Sequence, residues 1–289
     1  MRKVLLILLS VLLLTACGKE VTKIDIDSIN EINEDNASLF SFPIHSNQYK
    51  LICLNDFNVE YKKDSDKIMY PASLTKIVTL DTVLHLCDNL QDTSSINQSQ
   101  MDRLEFQDAS LAFLQVDKEY TIEELLYALI LPSGADAALA IETYFYKQDI
   151  NLNDEMNKLC KQLGCANSNF LNTTGLYSKH HYTTIDDLLL VFIDCLQYEA
   201  GREILESLEY KTKDDFIYSS SLNAITNEYV EVLGGKTGFT IEGGELISCI
   251  YRKDKRSYLL LLADAQGNSY EGQDYHLDDC LEIFRRLYN

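Results

Sequence analysis

From Val4 to Leu14 the chain is apolar without a break, and two cations, Arg2 and Lys3, precede the run. Eleven helical residues reach only about half-way across a hydrocarbon core, so the segment has the form of an export-signal core rather than a membrane span. No later apolar run is long enough to span. From Lys19 to about His45 the pattern inverts: Asn, Asp, Glu and Ser dominate and the Ile residues stand alone. A flexible tether with a root-mean-square reach of about 25 to 30 Å is expected there. The layout predicted is a signal over 1–16, a tether over 17–45 and one folded body over 46–289.

Within the body, the spacing predicts a hairpin from Gln48 to Leu54 and Asn58 to Tyr61 around the turn Asn55-Asp56-Phe57. Ile77, Leu80, Val83 and Leu84 then fall on one helical face between Leu74 and Leu86. Thr121, with Glu124 three residues on, has the form of a capping box opening a helix from Ile122 to Leu131. Thr184 and Asp187 open another that runs to about Gln197. After Gly234 the period shortens to two: Gly244 to Arg252 and Ser257 to Asp264 read as strands joined by the charged turn Lys253-Asp254-Lys255. Leu277, Cys280, Leu281, Phe284 and Leu287 predict a last amphipathic helix up to Tyr288. Strands at both ends and helices between them predict an α+β fold within the broad α/β class, one antiparallel sheet built from the two terminal segments with a helical insertion.

Composition changes this picture in two respects. With 25 Lys and Arg against 45 Asp and Glu, the net charge is −20, and loss of Arg2 and Lys3 with a signal would make it two units more negative. Such a surface repels phosphate backbones, which excludes an ordinary nucleic-acid partner. Of the 8 Cys, most lie in apolar stretches, such as Cys53, Cys87, Cys195 and Cys249, and read as small buried hydrophobes. The Cys and the 5 His form no close ligand spacing in sequence, so no metal site and no cofactor are expected.

Candidate chemistry sits in three short motifs. Ser73-Leu74-Thr75-Lys76 opens the first predicted helix. A spacing of three puts hydroxyl and ammonium one turn apart on the same face, in the positive field of a helix N-terminus that favours an oxyanion and a deprotonated amine. Pro132-Ser133-Gly134-Ala135-Asp136 lies between two helical runs. Gly234-Gly235-Lys236-Thr237-Gly238-Phe239-Thr240 lies on a predicted strand, where a cation and a hydroxyl flank a glycine that lets a ligand backbone approach. Each motif alone also reads as a cap or turn; the three in this order point to covalent acyl transfer.

The set resembles the penicilloyl-serine transferases, with their S-x-x-K, S-x-N and K-T-G motifs. Within them the chain is most similar to the low-molecular-mass penicillin-binding proteins, the serine D-alanyl-D-alanine carboxypeptidases. Further similarity lies at Phe170, Asn172, Gly175-Leu176, Thr184, Asp187 and Gly243-Gly244. The resemblance implies a β-lactamase/DD-peptidase-like fold for the body, and attack by Ser73 on a peptidoglycan stem peptide ending in D-Ala-D-Ala, with Lys76 as base. It further implies a proton relay through Ser133, carboxylate binding by Lys236 and Thr237 beside Gly238, and an oxyanion hole from the backbone N–H groups of Ser73 and Phe239. β-Lactams would acylate the same Ser73. Leu14-Thr15-Ala16-Cys17 resembles a bacterial lipobox, which implies a lipid on Cys17, membrane attachment through it and an extracytoplasmic location in the cell envelope.

The chain departs from the family pattern where the second motif has Ala135 in place of Asn. A methyl group replaces an amide that both donates and accepts, so slower turnover or relaxed peptide choice is expected. The C-terminal β-domain and amphipathic tail of many such carboxypeptidases are also expected to be lacking, with the lipid serving as anchor. A class A β-lactamase would need a Glu-x-x-Leu-Asn segment, and Ser168 stands where its Glu would be. An inactive wall-binding lipoprotein of the same fold is the main alternative, opposed by the intact Ser73, Lys76 and Lys236; a lipid-anchored solute receptor would not explain three ordered motifs.

Overall fold

The computed structural model describes residues 32–267 and 271–289; the signal segment and Cys17 lie outside them. Strands β1 (Ser46–Cys53) and β2 (Val59–Lys63) form the predicted hairpin. The helical part follows: α1 (Thr75–Leu86), α2 (Gln98–Phe106), α3 (Ile122–Ile130), α4 (Ala135–Tyr146), α5 (Leu152–Gln162), α6 (Ile185–Cys195) and α7 (Glu199–Leu205), with the two-residue strands β3 (Thr93–Ser94) and β4 (Tyr120–Thr121) paired among them. A short ladder β5 (Glu209–Lys211) with β6 (Ile217–Ser219) precedes the long strands β7 (Glu231–Thr240), β8 (Gly244–Lys253) and β9 (Arg256–Ala265), and α8 (Tyr275–Tyr288) ends the chain. The main sheet runs β2-β1-β9-β8-β7, antiparallel throughout, so the two ends of the chain build one sheet as expected.

Alternation along the strands explains the two cores. Leu51, Cys53, Cys249, Tyr251, Leu260 and Leu262 face α8, meeting Cys280, Ile283 and Phe284. Their neighbours Ile52, Ile250, Leu259 and Leu261 face the helical layer, where Ile77, Leu80, Val83, Leu188 and Phe192 close the larger core. The unbroken apolar run Leu259 to Leu262 thus marks a strand covered on both faces. Helix α1 is almost wholly buried within this layer. Thr121 and Thr184 cap α3 and α6 through the backbone N–H groups of Glu124 and Asp187, while the fully reciprocal box forms at Asn97 and Gln100 on α2. The seven Cys among the described residues are free thiols.

One expectation needs correction: residues 33–45 are packed on the body rather than hanging as tether. Asn33 and Ser38 bridge to Asn58 and Tyr61 along β2. Phe40 is buried against Tyr49 and Tyr61, with ring centroids 4.6 and 4.7 Å away. Glu34 pairs with Lys62 and, at 2.5 Å, with the buried Lys50, which also pairs with Asp186 at 2.6 Å. A buried ammonium needs partners, and this segment brings one of them, so the folded body begins by Asn33. Among the described residues no helix is long and apolar enough to cross a membrane.

Candidate active site

Ser73 sits in a single 3-10 turn, Ala72–Leu74, immediately before α1, so the helix proper starts two residues after this serine. Ala72 holds φ at +45°, a left-handed conformation that is strained for a residue with a Cβ. Lys76, in the first turn of α1, puts Nζ 3.0 Å from Ser73 Oγ, within reach for proton transfer. The same Nζ donates to the carbonyl oxygen of Thr174 at 2.6 Å. Lys76 is 2% exposed. Burial lowers its pKa to about 7, and the carboxylate of Asp136 opposes the shift.

The loop 172–176 that supplies the Thr174 carbonyl is built by one side chain. Asn172 Oδ1 accepts from the backbone N–H of Gly175 at 2.7 Å, while its Nδ2 donates to Leu176 O at 3.0 Å. Thr79 Oγ1 of α1 donates to the carbonyl of Thr173 at 2.9 Å, fastening the loop to the helix that carries Lys76. Gly175, with φ +84°, passes so close that a Cβ there would lie 1.9 Å from Ala72 O.

Lys236 stands on β7 opposite Ser248 of β8 and is also 2% exposed. Its Nζ donates to Thr237 O at 2.7 Å, and its backbone is tied to Ser248 Oγ. Burial, reinforced by the nearby Lys76, pushes its pKa well below the usual lysine value. Thr237 Oγ1 lies 2.8 Å from Ser221 Oγ, a hydroxyl that no motif flagged. Gly238 lets β7 close on the turn that holds Ser73, since a Cβ there would be 3.0 Å from Ser73 N. Phe239 lines the same cleft of about 210 Å³ as Ser73, Lys76, Ala135 and Gly175.

Ser133 belongs to the loop entering α4, at φ +63°, and its Oγ is buried with no hydrogen-bond partner. No hydrogen bond joins it to Ser73 or Lys76; its neighbour Ala135 forms the cleft wall, held by donation of its N–H to Ser110 O at 2.8 Å. Asp136 fixes that wall by accepting from the backbone N–H groups of Ala112, Leu114 and Ala137. The first and third motifs therefore come together, with Gly238 against the Ser73 turn and Lys236 near Lys76, whereas the second motif brings Ala135 to the cleft wall and leaves Ser133 without a bond to either; Cys17 is outside the described residues.

His181, which in sequence reads as a plain loop residue beside the exposed His180, is 2% exposed. Its Nδ1 accepts from Leu171 N–H at 3.0 Å, so Nε2 carries the proton and donates to Thr75 Oγ1 at 2.7 Å. It thereby ties the 170s loop to the turn between Ser73 and Lys76. Burial lowers its pKa to about 4. Because the folded value lies below the ordinary 6.5, the unfolded chain takes up the proton first, and stability falls as pH drops from about 6.5 towards 4, by roughly 3 kcal/mol. His181→Gln, which can accept and donate likewise, is expected to flatten that acid limb in denaturation curves while keeping most activity. His181→Ala is expected to lower kcat more than it changes KM.

The family model for D-alanyl-D-alanine carboxypeptidases, peptidase family S11, matches residues 34–265. The chain belongs to this family. Among its curated relatives, the D-alanyl-D-alanine carboxypeptidase DacF of Bacillus subtilis is 28% identical over 214 residues, 73% of this chain and 54% of that protein. The D-alanyl-D-alanine carboxypeptidase of a Streptomyces species is 27% identical over 196 residues, 62% of this chain and 66% of that one. The chain thus spans about half the length of the Bacillus relative. A crystal structure of a Streptomyces DD-transpeptidase superposes with a TM-score of 0.74 at 22% identity, covering 86% of this chain and 98% of that one. That likeness establishes the DD-peptidase fold, and the family match begins at residue 34, where the packed segment begins.

Proposed function

We propose that the protein is a serine-type D-Ala-D-Ala carboxypeptidase that removes the terminal D-Ala from peptidoglycan stem peptides and is acylated by β-lactams. The observation that carries this reading is Lys76 Nζ, buried, near neutrality at about pH 7 and 3.0 Å from Ser73 Oγ. As Ser73 Oγ bonds to the carbonyl carbon of the penultimate D-Ala, Lys76 accepts the hydroxyl proton. The backbone N–H groups of Ser73 and Phe239 face the developing oxyanion, a contribution typically worth about 2.7 to 4 kcal/mol per donor. When the C–N bond breaks, the proton returns from Lys76 to the leaving amine, a relay that needs the unbonded Ser133 Oγ to turn toward Lys76, and water then hydrolyses the ester to regenerate Ser73.

The ligand's negative charge follows from the two buried amines. The charged forms of Lys236 and Lys76 repel one another, and a substrate carboxylate beside Lys236, Thr237 and Ser221 relieves that repulsion. Ala135 leaves the wall without an amide, so Ala135→Asn is expected to raise turnover or narrow peptide choice; identical kinetics for both proteins would remove that role from the position. The leader and lipobox pattern support export, lipid attachment at Cys17 and an extracytoplasmic, membrane-anchored location. The experiment is mass spectrometry after penicillin exposure, alongside D-Ala release from a diacetylated Lys-D-Ala-D-Ala peptide. One adduct on the Ser73 peptide together with released D-Ala is expected. Absence of the adduct would defeat the enzyme reading, and an adduct without D-Ala release would defeat the carboxypeptidase.

A further inference from the structure

Helix α1 carries a second polar cluster away from the cleft, on its later turns. Asp81 is 0% exposed, and neither carboxylate oxygen has a hydrogen-bond partner. A carboxylate stripped of water and left unpaired is costly, and Asp194 from α6 adds a second acid of the same sign nearby. Between them stands one imidazole: His85 Nε2 is 3.9 Å from Asp81 Oδ1 and 2.5 Å from Asp194 Oδ2. The other ring nitrogen, Nδ1, lies 3.1 Å from Tyr198 Oη. The thiols of Cys195 and Cys160 complete the titratable surroundings of the two acids.

We propose that Asp81, His85 and Asp194 bind a divalent transition-metal ion of the zinc type. One imidazole nitrogen and two carboxylate oxygens are a donor set that suits zinc, whereas calcium or magnesium would call for more oxygens. The three ligand atoms lie within 4.8 Å of one another. Tetrahedral bonds of about 2.0 to 2.1 Å need ligand atoms spaced about 3.4 Å apart, so the His85–Asp194 contact opens and the His85–Asp81 contact closes by less than about 1 Å. A cation at the cluster gives the orphaned Asp81 oxygens a partner. Tyr198 holds the ring from outside, as second partners of metal-bound imidazoles do. The His85 side chain, 32% exposed, marks the route of entry. Bound there, the ion staples α1, whose first turn presents Lys76, to α6.

The test titrates zinc chloride into the chelator-stripped full chain, read by calorimetry, elemental analysis and thermal unfolding. One equivalent bound at micromolar affinity or tighter, with a raised Tm, is expected. Asp81→Asn keeps the side-chain shape and removes the uncompensated charge, so it should fold, and it is expected to weaken zinc binding at least tenfold. His85→Gln is expected to do the same, while His276→Gln, at the separate Glu245–Asp274–His276 cluster, should leave binding unchanged. Lack of saturable binding, equal affinity for magnesium, or binding that survives both α1 variants would overturn the proposal. So would a zinc equivalent lost only in His276→Gln.

Discussion

Lys76→Met is expected to slow acylation of Ser73 by penicillin about 10²- to 10⁴-fold, the usual worth of a positioned base. In the unsubstituted protein the second-order acylation rate should rise about tenfold per pH unit below about 7 and level off above it, because the neutral amine is the active form. The variant should lose that limb. It should also be the more stable protein. The folded pKa of Lys76 lies below the ordinary 10.5, so the unfolded chain binds the extra proton as pH falls from 10.5 to about 7, and stability is lost over that window. At pH 7 the cost is on the order of 4 to 5 kcal/mol, which an apolar side chain of similar length does not incur. Stopped-flow acylation and urea denaturation together check both halves; a less stable variant with an unchanged pH limb would remove Lys76 from the role of base.

Gly175→Ala is expected to be the most damaging single methyl group in the chain. Its Cβ would lie 1.9 Å from Ala72 O and 2.4 Å from Ala72 C, at a backbone φ of +84°. The left-handed conformation costs about 1 to 2 kcal/mol for a residue with a Cβ, and overpacking about 1 to 3 more. Relief requires the loop 172–176 to withdraw, which takes the Thr174 carbonyl from Lys76 and shifts the strained Ala72 turn. Acylation should fall more than a hundredfold. Gly164→Ala is the control: it shares the positive φ, at +88°, and a Cβ there meets nothing within 4 Å. It should show the backbone cost alone and normal acylation. Equal denaturation midpoints for the two variants would show that the contact with Ala72 does not matter.

What sequence reveals here depends on whether a residue acts through its own side chain at short range. Ser73 and Lys76 are one helical turn apart, and Lys236 to Phe239 lie on one strand, so spacing alone predicts their grouping. Thr174 works through a carbonyl, which every residue has, and nothing in its letter distinguishes it. His181 reaches Thr75 across more than a hundred residues, and its neighbour His180 is exposed, so adjacency in sequence misleads. Asp81 and Asp194 are likewise far apart until α1 packs on α6. The segment from Asn33 to His45 looked like solvent-borne chain because Glu34 is a charged residue like any other until Lys50 is found buried beneath it. Phe40 and Phe42, alternating in a polar stretch, were the available signal of a strand-like edge.

The two amines of the cleft have a calorimetric consequence. Burial, reinforced by Lys76, presses the pKa of Lys236 well below its usual value and so favours the neutral amine in the ligand-free cleft. A carboxylate that enters beside it favours the charged form, so binding draws protons from solution at any pH where the free amine is partly deprotonated. The measured heat of binding a non-hydrolysed D-peptide should therefore change with the ionisation enthalpy of the buffer, with a positive slope equal to the protons taken up. The cleft would then recognise its anion partly by borrowing hydrogen ions from the medium.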